Sequence, residues 1–226
     1  MFKRVIWQPD LPDFRDYPFV GITAIESLPE SVDLSTSEFL NSTIRPTDTP
    51  ILEAFSFTIR KDLPAEILDP LLRVGFGRSV TDGPYTSIRN ENKVVIKNGL
   101  KLTEGSLTYY RLTNSLDAMK QCLADGYPFV FGYTSYATPS SALPNQPLGP
   151  GESPAPRPGT ILMPKVTDSV AGSKIGLAIG YDNVTQYVKL KAYKGDLNDN
   201  GYLHMPYDYI SNVNICDDFW TLRKTP

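Results

Sequence analysis

Apolar residues recur with a helical period in the first part of the chain and with a strand period in its last third. Over residues 49–61, TPILEAFSFTIRK, the positions Ile51, Leu52, Phe55 and Ile59 fall at helical spacing. Thr49 is placed to cap that segment and Pro50 suits a first helical turn, so the pattern predicts a buried helix. A second helix is predicted from Asn114. Asp117 follows three residues later, Leu116, Met119 and Leu123 share a face, and Gly126 stands as a stop. The run YPFVFGY at residues 127–133 then reads as a strand. Three further strands follow at residues 175–182, 187–193 and 201–207, each bounded by turn residues. Helices first and antiparallel strands afterwards argue for an α+β fold.

Other segments lack a period. The first forty residues are rich in proline and acid, and PDLPDFRDYPF and LPESVDL supply fixed turns. They predict an extended arm lying over a surface, anchored by Trp7, Phe14, Tyr17 and Phe19. Residues 66–102 mix short apolar runs with glycine, and only a strand at 93–97 is predicted there. Between residues 139 and 158 stand seven of the chain's twenty prolines: Pro139, Pro144, Pro147, Pro150, Pro154, Pro156 and Pro158. With serine, glycine and few bulky apolar neighbours, they mark a long surface loop. A tolerated insertion is favoured over a polyproline segment offered to a partner, in which case these prolines would be the binding residues.

Composition narrows the classes of function. The 226 residues are 41% apolar and 21% charged, enough for a substantial core. The formal net charge is −3 with basic residues scattered, so nucleic acid is not an expected partner. No stretch approaches the roughly twenty apolar residues of a membrane helix, and the first residues lack a secretory pattern. No membrane insertion is therefore expected, and the chain reads as kept inside a cell or packaged from one. The two cysteines, Cys122 and Cys216, have no C-x-x-C spacing and are expected as buried thiols. Asp196, Asn198, Asn200 and Gly201 match the opening of a calcium loop, but Tyr207 stands where the bidentate Glu belongs. A polar hairpin is the better reading, and neither a metal nor a cofactor is expected. The sequons at Asn41 and Asn183 are assigned no function.

Several segments form an ordered series: residues 9–17 (PDLPDFRDY), 28–34 (LPESVDL), 109–112 (YYRL), 122–132 (CLADGYPFVFG), 163–165 (MPK), 180–182 (GYD), 201–210 (GYLHMPYDYI) and 217–223 (DDFWTLR). Together they resemble the papain-like cysteine peptidases, in particular a subgroup found in microbes and large DNA viruses. The resemblance covers most of the chain outside residues 64–105. It implies one papain-like two-lobed domain over residues 1–226. Within it, residues 1–40 would form the arm, about 41–105 a degenerate helical lobe, and about 106–226 a lobe of antiparallel β-sheet carrying the 139–158 loop.

The family's reaction needs a cysteine thiolate at the start of a buried helix, a histidine base, an asparagine to orient it and a glutamine for the oxyanion. A family segment like Q-G-x-x-G-S-C would run into EAFSF, which places the nucleophile near Pro46 and the glutamine near Leu40. No cysteine precedes Cys122. The family strand G-H-A-V-L-A-V-G-Y corresponds to residues 173–181, with Lys174 at the histidine position, and the asparagine segment falls at 190–194, with Lys191 and Tyr193. A lysine in water is protonated near neutral pH and does not act as a base. His204 stands where the family has an aromatic residue on a structural strand, which argues against a Cys122–His204 dyad.

The resemblance with these positions replaced leads to the expectation that the chain is not an enzyme. It would be a catalytically inactive relative that serves as a binding or structural component with a protein partner, in a viral particle or other large assembly. One alternative keeps an enzyme whose cleft is repurposed through Lys174, Lys191, Asp48 or Tyr193, where a desolvated Lys174 would be the sign. Another is an inhibitor or regulator of an active cysteine peptidase. An assembly component should expose large apolar patches, whereas a free regulator should keep an open cleft.

Overall fold

The computed structural model describes residues 6–36, 50–59, 85–99, 106–136, 159–192 and 200–225. Among them, short strand β1 (Ile6–Trp7) pairs in parallel with β3 (Tyr85–Thr86). The main sheet runs β4 (Ser106–Arg111), β9 (Cys216–Thr225), β5 (Phe129–Tyr136), β6 (Val170–Asp182), β7 (Tyr187–Lys191) and β8 (Tyr202–Pro206), with β2 (Ser31–Asp33) also paired to β6. Every pairing in that sheet is antiparallel. With helices packed on it, the α+β architecture expected from the sequence is the one observed.

Alternation along the central strands explains why both faces of this sheet are covered. On β5, Phe129, Phe131 and Tyr133 enter one core while Val130 enters the other. Ala178 and Phe219 side with the first group, and Leu177, Ile179, Trp220 and Leu222 with the second. Each large side chain removed from water contributes about 1.5–3 kcal/mol, so a sheet apolar on both faces requires a helix on each. Helix α3 (Leu116–Ala124) covers the first face with Met119, Cys122 and Leu123. Helices α1 (Pro50–Ile59) and α2 (Ile88–Gly99) cover the second with Ile51, Ala54, Phe57 and Ile88. A four-residue helix, α4 (Tyr207–Ile210), follows β8.

Helix α1 begins at Pro50, as its spacing predicted, and Ile51 is buried; the side chains of Leu52, Phe55 and Ile59 lie outside the described residues. The cap of α3 is Ser115 and not Asn114: the Ser115 hydroxyl accepts from the Ala118 N–H at 3.2 Å. The Asn114 amide instead donates to the Cys216 carbonyl at 3.1 Å, tying the turn to β9. Gly126 adopts φ +85° just past the helix, where its N–H reaches the Leu123 carbonyl and the Tyr127 N–H reaches that of Cys122.

Two sequence expectations are corrected. Residues 93–97, read as a strand from the run KVVIK, belong to helix α2. There Ile88 and Asn92 are buried and Ile96 is half-buried, a four-residue spacing that only a helix places on one face. Of the four anchors expected in the arm, Trp7 is buried and Phe19 packs on the first core, but Phe14 is 97% exposed and Tyr17 59%. The acids of the arm hold it down in their place.

Candidate functional site

Two of the residues expected at the family's catalytic positions, Leu40 and Pro46, lie outside the described residues, as do Asp48, Tyr193, Asp196, Asn198 and the seven prolines of the 139–158 loop. Lys174 is exposed on β6, opposite Tyr133. The desolvated amine asked of it by the repurposed-cleft reading is therefore not observed. Lys191 is buried at 2% exposure at the end of β7, opposite Tyr202. Asn200 and Gly201 both take positive φ, consistent with a tight turn into β8.

His204 lies in β8. Its N–H donates to the Gly159 carbonyl and its carbonyl accepts from Ile161, so the backbone of this strand is bonded on its outer side, and its ring meets Tyr187 edge-on at 6.4 Å. Both cysteines are buried. The Cys122 thiol donates to the Tyr127 carbonyl at 3.4 Å, and burial pushes it up to about 12. Burial, followed by the neighbouring Asp217 charge, also pushes the Cys216 thiol upward. Thiols held protonated are poor nucleophiles.

The polar constellation that the structure does assemble was not read from the sequence. Asp218, in β9, is wholly buried and takes φ +66° next to a register shift between β9 and β5. That left-handed turn aims its carboxylate at the arm. Oδ2 accepts from the Trp7 indole at 3.3 Å and from the Asp10 N–H at 3.4 Å, while Oδ1 accepts from the Trp220 indole at 2.7 Å. Arg111 Nη2 stands 3.8 Å from Oδ1. Burial, with the Asp10 charge second, raises the Asp218 carboxyl to about 7 against the opposing pull of these donors.

Around this centre the arm is tied by charge. Asp10 accepts from the Ser87 hydroxyl and from the Arg89 N–H at the start of α2. Asp16 receives Arg89 at 2.7 Å and Arg111 at 3.2 Å, and both guanidinium groups lie over the Trp220 ring, 5.4 and 5.3 Å from its centroid. The Trp7 indole rests on Gly132, and the Ser173 hydroxyl, next to Lys174, donates to the Trp7 carbonyl at 3.1 Å. The clue in the sequence was the pair of acidic runs, residues 10–16 and 217–218, each flanked by aromatic residues.

A second clasp holds the arm further on. The Asp125 carboxylate accepts from the N–H groups of Ile22 and Thr23 and from the Thr23 hydroxyl, each at 2.8 Å, and pairs with Arg223 at 2.9 Å. Burial pushes this carboxyl up, but the four partners outweigh it and hold it below the usual carboxylate range. Along and just beyond the clasped stretch the arm turns Leu11, Phe14, Tyr17, Val20, Ile22 and Ile25 to solvent. Among the described residues, no three His, Cys, Asp or Glu side chains converge as metal ligands, and no helix is long and apolar enough to cross a membrane.

No family model matches the chain. In sequence it is similar to an uncharacterised peptidase C1-like protein of Acanthamoeba polyphaga mimivirus, 24% identical over 114 residues, which is 50% of this chain and 33% of that relative's length. The chain thus matches about a third of that curated relative. In structure it is similar to xylellain, a cysteine protease from Xylella fastidiosa, with TM-score 0.72, 22% identity and full coverage of both chains. It is also similar to a procathepsin B from Trypanosoma congolense, with TM-score 0.60 and 14% identity, over 95% of this chain and 83% of that one. The resemblance to papain-like cysteine peptidases is borne out, and the fold is papain-like. The expectation that the chain is not an enzyme is overturned by the same structures: over its whole length this fold is shared with a cysteine protease, so the replacements expected from the sequence do not support excluding catalysis.

Proposed function

We propose that this chain, whose fold is papain-like, works as a binding component that presents its N-terminal arm to a protein partner within a larger assembly. The observation that carries the reading is the row of exposed apolar side chains at Leu11, Phe14, Tyr17, Val20, Ile22 and Ile25. Soluble surfaces seldom concentrate large apolar groups in one segment unless another surface covers them. From Leu11 to Ile22 the row is also held at both ends, since Asp10 and Asp16 secure it at one end and Asp125 at the other. A segment ordered in advance loses less entropy when a partner seats on it. The similarity to a mimivirus protein is what favours a viral particle as the assembly.

The test is a pull-down from the source cell or particle with the tagged chain and with a Phe14→Asp, Ile22→Asp variant. A stoichiometric protein retained by the first and lost by the second is expected. Recovery of the same protein by both, or of none by the unaltered chain, overturns the proposal. A chain lacking residues 139–158 serves as the comparison, because loss of the partner there would move the contact to the proline-rich loop.

A further inference from the structure

Helix α2 packs against helix α1 and strands β4, β5 and β9, and the face it turns to them carries Ile88, Asn92 and Ile96. Two of these are apolar, as a core stripe requires, and the third is an amide. The core on this side is apolar, with Ile51, Phe57, Leu107 and Trp220 among its members, and Asn92 has no exposure at all. Thr58, Thr221 and Asp218 are also buried and polar, and they find partners within the chain. The Thr58 hydroxyl donates to the Ala54 carbonyl, that of Thr221 donates to the Pro128 carbonyl, and Asp218 accepts from two indoles. Asn92 does not. Neither its side-chain oxygen nor its NH2 group has a hydrogen-bond partner among the described residues, and the same holds for the equally buried Nε–H of Arg89.

Arg89 stands three residues before Asn92, and side chains at that spacing are neighbours on one side of a helix. Its Nη2 is engaged, donating to the Leu11 carbonyl at 2.6 Å and to Asp16 at 2.7 Å, which leaves Nε over. A buried amide with nothing to bond gives up its hydration without return, and asparagine is a poorer helix former than leucine. We propose that Asn92 and Arg89 Nε together form a buried water site, in which one or two ordered waters link the amide to the guanidinium beneath helix α2.

The chemistry of these groups selects the occupant. The amide oxygen needs a donor, while the amide NH2 and Nε–H need acceptors. A water molecule supplies two of each and typically makes about three bonds in such a place. An anion cannot donate to the amide oxygen, and the charge that would attract it is already matched, since Arg89 pairs with Asp16 and Asp10. A cation would stand against the Arg89 guanidinium. Complete burial favours the smallest neutral occupant. The waters complete the donor set of Arg89 and hold the guanidinium in its place over the Trp220 ring, from which it reaches Leu11 and Asp16 of the arm.

The test is a crystal structure of the full chain at a resolution that shows ordered water. Water is expected within about 2.7–3.2 Å of an Asn92 amide atom and of Arg89 Nε, as one molecule or as two bonded to each other. Protein groups paired with the amide, an apolar void there, or water at only one of the two residues overturns the proposal. Asn92→Leu, close in volume and without polar atoms, gives a reading in solution by urea unfolding. Losing the link leaves Arg89 Nε unpaired, so the folded-to-unfolded ratio is expected to fall by at least about fivefold, the worth of one typical hydrogen bond. An unchanged or higher ratio is the result for an amide that held nothing, and it overturns the proposal. Should that variant not fold, the waters of the unaltered chain decide the matter alone.

Discussion

Replacing Gly132 by alanine tests the largest single contact of the arm. A Cβ at this position falls 1.8 Å from Trp7 Cε2 and 2.1 Å from Cδ2. Carbon atoms in contact sit about 3.5–4.0 Å apart, so the indole must move by roughly 1.5–2 Å or leave. It has little slack: Nε1 is bonded to Asp218, the carbonyl accepts from Ser173, and the backbone pairs with Thr86 in β3. A buried tryptophan covers about 150–250 Å², worth about 4–6 kcal/mol at 25 cal/mol per Å² as an upper bound. Partial repacking lowers this, and Gly132→Ala is expected to cost about 3–5 kcal/mol, as other expelled or truncated core aromatics do.

The sign should reverse once Trp7 is gone. Gly132 lies within strand β5 and does not take a positive φ. Alanine is there the better residue by about 0.5–1 kcal/mol, because glycine gives up more freedom on folding. In a Trp7→Ala background, Gly132→Ala should therefore be neutral or slightly stabilising. The two single variants and the double variant form a cycle, read by urea unfolding followed in far-ultraviolet circular dichroism. A coupling of at least about 3 kcal/mol is expected, and equal costs for Gly132→Ala in both backgrounds would refute the seat assigned to Trp7.

Two further outcomes follow from the buried groups. Both thiols should resist a soluble disulfide reagent in the native chain at pH 8 and react in denaturant, since each is buried and shifted upward; rapid native labelling of Cys122 or Cys216 would contradict that placement. Asp125→Ala should cost about 3–5 kcal/mol by leaving Arg223 without its carboxylate. Because the folded Asp125 carboxyl is held low, its stabilisation is full above about pH 4 and is lost as pH falls through the folded value. Asp125→Asn should remove that part of the acid sensitivity, and an unchanged acid limb in chemical unfolding would count against the clasp.

Elements with a clean period were legible in the sequence, and those set by long-range contacts were not. Helix α1 starts at Pro50, and strands β5 to β8 fall close to their expected segments because alternation and helical spacing depend only on near neighbours. Residues 93–97 misled because a run of β-branched residues reads the same in a strand or a buried helix until Ile88, Asn92 and Ile96 are seen to share a face. Strands β4 and β9 went unread although Leu107, Trp220 and Leu222 are buried, since their apolar positions are interrupted by charged and polar residues that bind the arm. In the same way Trp7 and Phe19 were foreseen as anchors while Asp10 and Asp16 were not. An acidic, proline-rich segment looks like solvent-facing chain until Arg89 and Arg111 are placed opposite it.

The residues that carried the family resemblance have a common structural use. Asp10 and Asp16 in PDLPDFRDY engage Arg89 and Arg111, and Val32 in LPESVDL presses its carbonyl to 2.4 Å from where a Cβ on Gly180 of the GYD run would stand. Gly132, closing CLADGYPFVFG, seats Trp7, and Asp218 and Trp220 in DDFWTLR receive it and the two arginines. These segments are far apart in the chain yet meet along the path of the arm. Each satisfies a need that neither partner meets alone: a buried carboxylate needs donors, a buried guanidinium needs a carboxylate, and a close backbone approach needs glycine. Such paired requirements constrain sequence without reference to the chemistry of a cleft. A resemblance built on them therefore reports how the arm is fastened to the papain-like sheet, and the arm is where the binding proposal places the function of this chain.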